Sequence, residues 1–344
     1  MYNFKNDYAE GAHPRILQAL IDTNLEQTEG YGEDQYCLEA ANFIKKKMGR
    51  DDVDIHFIPG GTQANLIAIS AFLRPHEAAV APATGHINVH ETGAIEATGH
   101  KVFTLPGREG KLRPEDLARA LEIHTDEHMV KPKLAYISNS SEIGSIYRKN
   151  ELRALSNFCR EHDLILFLDG ARLGAALTSE ANDLTLHEIA QLVDAFYIGG
   201  TKNGALLGEA LVICGDSLKE DFRFHIKQRG AMLAKGRLMG IQFRELFRDD
   251  LFFELARHAN MLAAGIQQGL AELGCSFVLR SPTNQLFPIL SNQVIGELQK
   301  KYLFQIWDKV DNDHCAVRLV TSWATPEQIV DRFLADARTI IAGK

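Results

Sequence analysis

Lys202 and Asp169 are the residues best placed to do chemistry, because each emerges from the end of an apolar run. Lys202 lies in Ile198-Gly199-Gly200-Thr201-Lys202-Asn203-Gly204, just beyond the run Ala195–Ile198. Most lysines stand on solvated helix faces, and flanking glycines keep this one off such a face. An amine crowded by another cation, or withdrawn from water, gives up its proton more easily and becomes a nucleophile able to form a Schiff base. Asp169 opens Asp169-Gly170-Ala171-Arg172 directly after Leu164–Leu168, which is apolar at every position, as a strand covered on both faces must be. An isolated Asp-Gly beside an arginine reads as a surface turn. An acid and a base leaving a buried strand together instead suit the ligand-binding edge of an open α/β sheet.

A third group is Gly60-Gly61-Thr62-Gln63-Ala64-Asn65, set between the run Ile55–Ile58 and an apolar helical pattern through Leu66, Ile67, Ile69 and Phe72. Strand, glycine turn and helix start make an anion site, since free N–H groups and the helix dipole point at the ligand. The glycines admit close approach and Thr62 adds a hydroxyl. The pattern is neither G-x-G-x-x-G nor a Walker loop, and alone it fits an ordinary capped turn equally well. Together the three groups describe one ligand, with a phosphate in the cup of Gly60, Gly61 and Thr62, a ring nitrogen at Asp169 and an aldehyde at Lys202. That ligand is pyridoxal 5′-phosphate. A carboxylate against the ring nitrogen keeps it protonated, so the ring can accept electrons from a carbanion at the amino-acid carbon. Arg172 then offers its guanidinium fork to a substrate carboxylate.

These turns need a frame that brings strand ends to one edge. Strand candidates are Val53–Ile58, Ala78–Ala81, Lys101–Leu105, Leu134–Ser138, Leu164–Leu168 and Ala195–Ile198, alternating with helical patterns up to about residue 215. This rhythm predicts an α/β fold with a largely parallel sheet between helices. Residues 35–48 place Cys37, Ala41, Ile44 and Met48 on one helical face, with Gly49 as a stop. Beyond residue 216 the pattern turns helical to about 273, then mixes short strands with one helix to 320, and ends in a helix from Thr325 to Ala342.

The balance of 37 basic against 45 acidic residues gives a formal charge of −8, which disfavours nucleic acid and anionic membranes as main partners. The five cysteines are scattered without a C-x-x-C pair, so neither a disulfide framework nor a metal site is expected, and a reducing compartment is. The polar stretch Met1–Glu10 shows no secretory signal, and no apolar run reaches membrane-spanning length. A cytoplasmic location is expected.

Gly30-Tyr31-Gly32-Glu33-Asp34, the Gly-Thr-Gln-Ala-Asn loop, Gly85-His86 with Glu91, Asp169-Gly170-Ala171-Arg172, Thr201-Lys202 and Val317-Arg318-Leu319-Val320-Thr321 occur in one order. With Phe4-Lys5-Asn6-Asp7 they resemble the threonine aldolase family of fold-type-I pyridoxal-phosphate enzymes, within the β-eliminating lyase group. The resemblance implies a seven-stranded, mostly parallel sheet in a large domain over 14–245, a small α+β domain over 246–344, and an N-terminal segment 1–13 near the active site. It implies that Lys202 bonds the cofactor aldehyde, Asp169 pairs with the ring nitrogen, and His86 stacks on the ring. It also implies that Arg172 and Arg318 clamp the carboxylate of an amino-acid substrate, with Asn6 nearby. Lys227 and Lys235 would reach the phosphate of a neighbouring subunit, in a dimer or tetramer whose active sites lie at interfaces. The implied reaction is retro-aldol cleavage of a β-hydroxy-α-amino acid to glycine and an aldehyde.

Three positions depart from the family pattern. Glu142 stands where many relatives carry a histidine, Asn6 where a serine is common, and Asn203-Gly204 where Gly-Leu usually follows the lysine. Cofactor chemistry is untouched by these changes, while the identity of the base is left open among His86, His90 and a water. An aminotransferase, a β-eliminating lyase and a catalytically silent binding protein are the rival readings.

Overall fold

The computed structural model describes residues 1–343. β1 (Tyr2–Asn3) belongs to the N-terminal segment, and the central sheet comprises β2 (Asp54–Ile58), β3 (Glu77–Pro82), β4 (Val102–Leu105), β5 (Lys131–Ser138), β6 (Ile165–Asp169), β7 (Ala195–Gly199) and β8 (Glu209–Ile213). Its order is β2-β8-β7-β6-β5-β3-β4, with β8 antiparallel to both neighbours and every other pairing parallel. The six strand candidates all form, and the seventh strand, β8, carries the one reversed direction. Both sheet faces are covered, one by Ile44, Leu152, Ile189, Phe243 and their neighbours, the other by Ile67, Ile69, Phe72 and Phe222. Double coverage explains why β6 and β7 read as unbroken apolar runs.

The remaining strands, β9 (Ser276–Phe277), β10 (Gln285–Leu286), β11 (Pro288–Ser291), β12 (Tyr302–Leu303), β13 (Gln305–Lys309) and β14 (His314–Val320), build the C-terminal layer. β14 pairs with β10, β11 and β13, while β1 joins β12 in parallel and so ties the N-terminal segment down. The sequence puts a domain boundary at 245/246. In the structure Leu246, Phe247, Leu251 and Phe252 pack in the large core, and the C-terminal core takes over from Leu262, within the helix Leu251–Glu272.

Register sets the chemical edge. Ser138 at the end of β5 lies opposite Asp169 at the end of β6, and Gly199 ends β7 one loop short of Lys202. The turns after β6 and β7 press on each other, and the Gly199 N–H donates to the Gly170 carbonyl at 3.0 Å. A Cβ at Gly170 would stand 1.8 Å from the Tyr197 carbonyl oxygen, and one at Gly199 would stand 2.3 Å from the Ala171 carbonyl oxygen. Only glycine allows the Asp169 and Lys202 turns to meet.

Gly170→Ala is therefore expected to lower stability to urea by at least about 3 kcal/mol, or to abolish soluble expression. Gly265→Ala, on an open face of the helix Leu251–Glu272 with no atom within 4 Å of the added carbon, should gain roughly 0.5–1 kcal/mol. Equal stability of the two variants would refute the close-approach argument.

Candidate active site

Asp169 is buried, and its Oδ2 accepts from the Tyr136 hydroxyl at 2.6 Å and from Asn65 Nδ2 at 3.1 Å, while Oδ1 accepts from the Ala171 N–H at 3.0 Å. Burial would raise this carboxyl, but the charge of His86 and the hydroxyls of Tyr136 and Tyr197 outweigh it and hold Asp169 below its ordinary value. A permanent anion thus waits at the end of β6. Lys202 lines a cavity of about 330 Å³ together with Tyr8, His86, His90, Glu142, Arg172, Gln285, Gln305, Trp307 and Arg318. Burial and then the Arg172 charge lower the Lys202 amine, against the opposing pull of Asp7 and Asp169.

The two arginines differ in how much of their binding capacity is left. Arg172 spends Nε and Nη2 on Asp7, at 2.7 and 3.0 Å, in a fork-to-carboxylate pair. Asp7 is 1% exposed and also accepts from Asn284 Nδ2 at 2.9 Å. Burial opposes its ionisation, yet the charges of Arg172 and Lys202 and the hydrogen bonds bring it down to about 2. Asp7 thus occupies the Nε and Nη2 edge of the Arg172 guanidinium, which still lines the cavity. Arg318, by contrast, donates from Nη2 to Gln285 Oε1 at 2.6 Å and lies over the Trp307 ring at 5.8 Å. Its buried Nε has no partner, and among the described residues no carboxylate pairs with it. Burial and the like charge of Arg172 push its guanidinium down to about 10, the mark of a cation short of an anion.

A third cluster surrounds His86. Its Nδ1 meets Glu91 Oε1 at 2.7 Å, and the same oxygen accepts from Asn65 Nδ2 at 2.7 Å. Asn65 therefore links the His86–Glu91 pair to Asp169. The His86 backbone N–H and the Ser138 hydroxyl donate to Glu142 Oε1 at 3.1 and 2.7 Å, leaving the buried Oε2 unpartnered. Burial raises the Glu142 carboxyl, and burial with the charges of His86, Arg318 and Lys202 lowers the neighbouring His90.

Lys202, His86, Arg172 and Arg318 thus share one cavity, with Asp169 beside it through Asn65 and His86. Gly60 caps the helix Gly61–Phe72 without a side-chain hydrogen bond. A Cβ on Gly61 would lie 3.1 Å from the Tyr197 hydroxyl, so the glycine cup adjoins the end of β7 without lining the cavity itself. Asn6 stands outside the lining, where its Oδ1 accepts from the Tyr8 N–H at 3.1 Å, and the neighbours it turns inward are Asp7 and Tyr8. Lys227 is exposed over the Tyr31 ring, and Lys235 borders a separate groove with Glu29 and Arg237. Neither lysine reaches the Lys202 cavity of its own chain. Tyr136, Gln285 and Trp307 are not singled out by the sequence, and Asp7 figures only as the last residue of Phe4-Lys5-Asn6-Asp7, without its role.

A family model described as β-eliminating lyase matches residues 5–293. The chain belongs to the β-eliminating lyase family. Within it, the chain is 30% identical to the low specificity L-threonine aldolase of Pseudomonas sp. (strain NCIMB 10558), over 98% of each chain. It is 26% identical to the enzyme of the same name from Escherichia coli (strain K12), over 99% of this chain and all of that one. A solved structure of Leishmania major threonine aldolase superposes with a TM-score of 0.98 at 51% identity, covering 99% of this chain and 100% of that one. Aspartate aminotransferase from Thermus thermophilus shares the fold at 16% identity and a TM-score of 0.72, over 99% and 91% of the two chains. This family member has no described helix long and apolar enough to cross a membrane, and no described cluster of potential metal ligands.

The depressed Asp7 carboxyl contributes stability that is present above the ordinary carboxylate range and is lost as pH falls towards 2. Between about pH 6 and pH 3 the wild-type chain should therefore lose about 1 kcal/mol more unfolding free energy than Asp7→Asn, measured in urea. Parallel pH profiles would show that the Asp7–Arg172 pair does not form.

Proposed function

We propose that this lyase-family member is a pyridoxal-phosphate-dependent aldehyde-lyase that cleaves a β-hydroxy-α-amino acid, of the L-threonine or L-allo-threonine kind, to glycine and an aldehyde. The observation that carries the reading is the pairing of Lys202 with Arg318 in one cavity. Lys202 is an amine with a lowered pKa, and Arg318 is a buried guanidinium with an orphaned Nε and no carboxylate of its own. An amino-acid carboxylate is an anion that such a guanidinium would pair with.

The residues present fit the cofactor. The helix start at Gly60 and Gly61, which no side chain caps, would take the phosphate with Thr62, and a Cβ at Gly60 would meet no atom within 4 Å. Asp169 would face the ring nitrogen, His86 would lie against the ring and Lys202 would bond the aldehyde carbon. Lys235 of a second copy would complete the phosphate site in a homodimer or tetramer, and the exposure of Lys235 in one chain supports that arrangement. When bound, the group supplies an electron-withdrawing ring that stabilises negative charge at Cα.

The chain's own residues do the rest. Arg318, braced by Gln285 and Trp307, binds the carboxylate and so fixes which bond at Cα is turned towards the ring. Arg172, held by Asp7, adds positive potential beside it without serving as a free fork. Asp169 stays ionised in a dry setting, and would favour the protonated form of a ring nitrogen placed against it. The β-hydroxyl proton goes to a base on the His86–His90 side. There His90 is lowered by burial and by cations, so it is a neutral acceptor near pH 7, and His86 is oriented through Nδ1 by Glu91. Such help is typically worth ~10²–10⁴ in rate. The charge balance, the scattered free cysteines and the likeness to threonine aldolases support action on a small amino acid in the cytoplasm.

Incubation with L-threonine, L-allo-threonine, their D-forms and phenylserine should yield glycine and aldehyde in equal amounts from the L-substrates. A keto acid with an aminated cofactor, or a keto acid with ammonia, would instead establish an aminotransferase or a β-eliminating lyase. Arg318→Gln should raise KM for the amino acid at least about tenfold, following loss of a charge-assisted pair, and leave cofactor colour intact. Unchanged KM would remove Arg318 from its role.

A further inference from the structure

Glu209 begins β8, the strand that runs against its neighbours, and it is 4% exposed. Its Oε2 accepts from the Gly200 N–H at 3.1 Å and its Oε1 from the Thr201 hydroxyl at 2.9 Å. The Thr201 oxygen in turn accepts from the Gly208 N–H at 3.0 Å. Both donors to Glu209 immediately precede Lys202. A neutral glutamine or serine could serve such donors, whereas a buried carboxylate without a cation costs several kcal/mol. Among the described residues no arginine or lysine forms a close ion pair with Glu209, and the helix Arg237–Arg248 packs Met239 and Phe243 against the adjoining Gly208. The charged groups that act on Glu209 are Lys202 and, with opposite sign, Asp169.

We propose that Glu209 is a positioning residue for Lys202: its carboxylate clamps Gly200 and Thr201, and it adds to the negative charge that Asp7 and Asp169 place around the lysine amine. Burial pushes Glu209 up and Lys202 down, each towards its neutral form; the Thr201 hydroxyl and the lysine charge pull Glu209 back, and Asp7, Asp169 and Glu209 pull Lys202 back. The two therefore share protons, and the charge of one depends on the other. A buried acid behind the lysine keeps that amine able to hold a proton in a pocket that already contains Arg172 and Arg318. This deepens the reading of Lys202 as the cofactor-bonding amine and rests on it for its functional meaning.

The test uses the full chain without added cofactor, so that it does not depend on cofactor binding. Trace acetylation over a pH series, read by mass spectrometry, gives the titration midpoint of Lys202 against the exposed Lys5. Glu209→Gln keeps the shape and removes the charge, so the midpoint should fall by on the order of one pH unit. Lys202 should then label up to about tenfold faster near pH 7. Thr201→Val removes one clamp and the hydroxyl that helps hold Glu209 ionised, and should move the midpoint in the same direction by clearly less. A midpoint unmoved by Glu209→Gln, or moved equally by Thr201→Val, overturns the proposal. Lys202→Met reads the pair from the other side. Burial places the Glu209 carboxyl at about 8, so the variant's infrared spectrum near that pH should gain protonated-carboxyl signal relative to the wild type, and an unchanged spectrum would also overturn the proposal. Failure of the wild type to take up pyridoxal phosphate would refute the functional reading and leave these titrations as they stand.

Discussion

The Asp7–Arg172 ion pair is the contact on which the arrangement of the site depends. Asp7 comes from the N-terminal segment, Arg172 from the turn after β6, and Asn284, from just before β10, completes the grip. One buried carboxylate therefore fastens three stretches of chain that are far apart in sequence. A buried ion pair contributes little net stability over an apolar alternative, but losing one partner costs roughly 3–5 kcal/mol, because the other is left uncompensated. Such a contact defines one arrangement more than it deepens the energy well. It fixes where the N-terminal segment lies, and so where Tyr8 enters the cavity.

Charge accounting follows from that pair. Lys202, Arg172 and Arg318 are three cations around one small cavity, faced by Asp7, Asp169, Glu142 and, from behind, Glu209. Asp7 is committed to Arg172, Asp169 is held by Tyr136 and Asn65, and Glu142 is biased towards its neutral form by burial. Arg318 is left without an anion. Of the two arginines it is Arg318 that has no carboxylate bonded to it among the described residues, which is why the proposed substrate carboxylate is assigned there. The two arginines, equivalent halves of a clamp in chain order, therefore differ in the partners they already hold.

Much of this was legible in the residue string, for physical reasons that can be named. Lys202 and Asp169 stood out because buried strands are apolar throughout, and the first polar residue past such a run must lie at the sheet edge. The flanking glycines had to be present for two turns to approach within a carbonyl's width. β8 was harder to see, because it opens on charged Glu209, and its burial depends on strands β2 and β7 closing around it. The Asp7–Arg172 pair spans 165 positions, and no periodicity links residues so far apart. Trp307 and Gln305 reach the cavity from β13, whose register against β14 shifts at a bulge between Ile306 and Asp308. Sequence alternation does not give the placement of such a bulge.

The most direct test of the central claim is to load the chain with pyridoxal phosphate, reduce it with borohydride and map the modified peptide. The account predicts the cofactor's mass on a single peptide, the one containing Lys202, and its disappearance in Lys202→Met. Modification at a different lysine, or no stable modification at all, would contradict it.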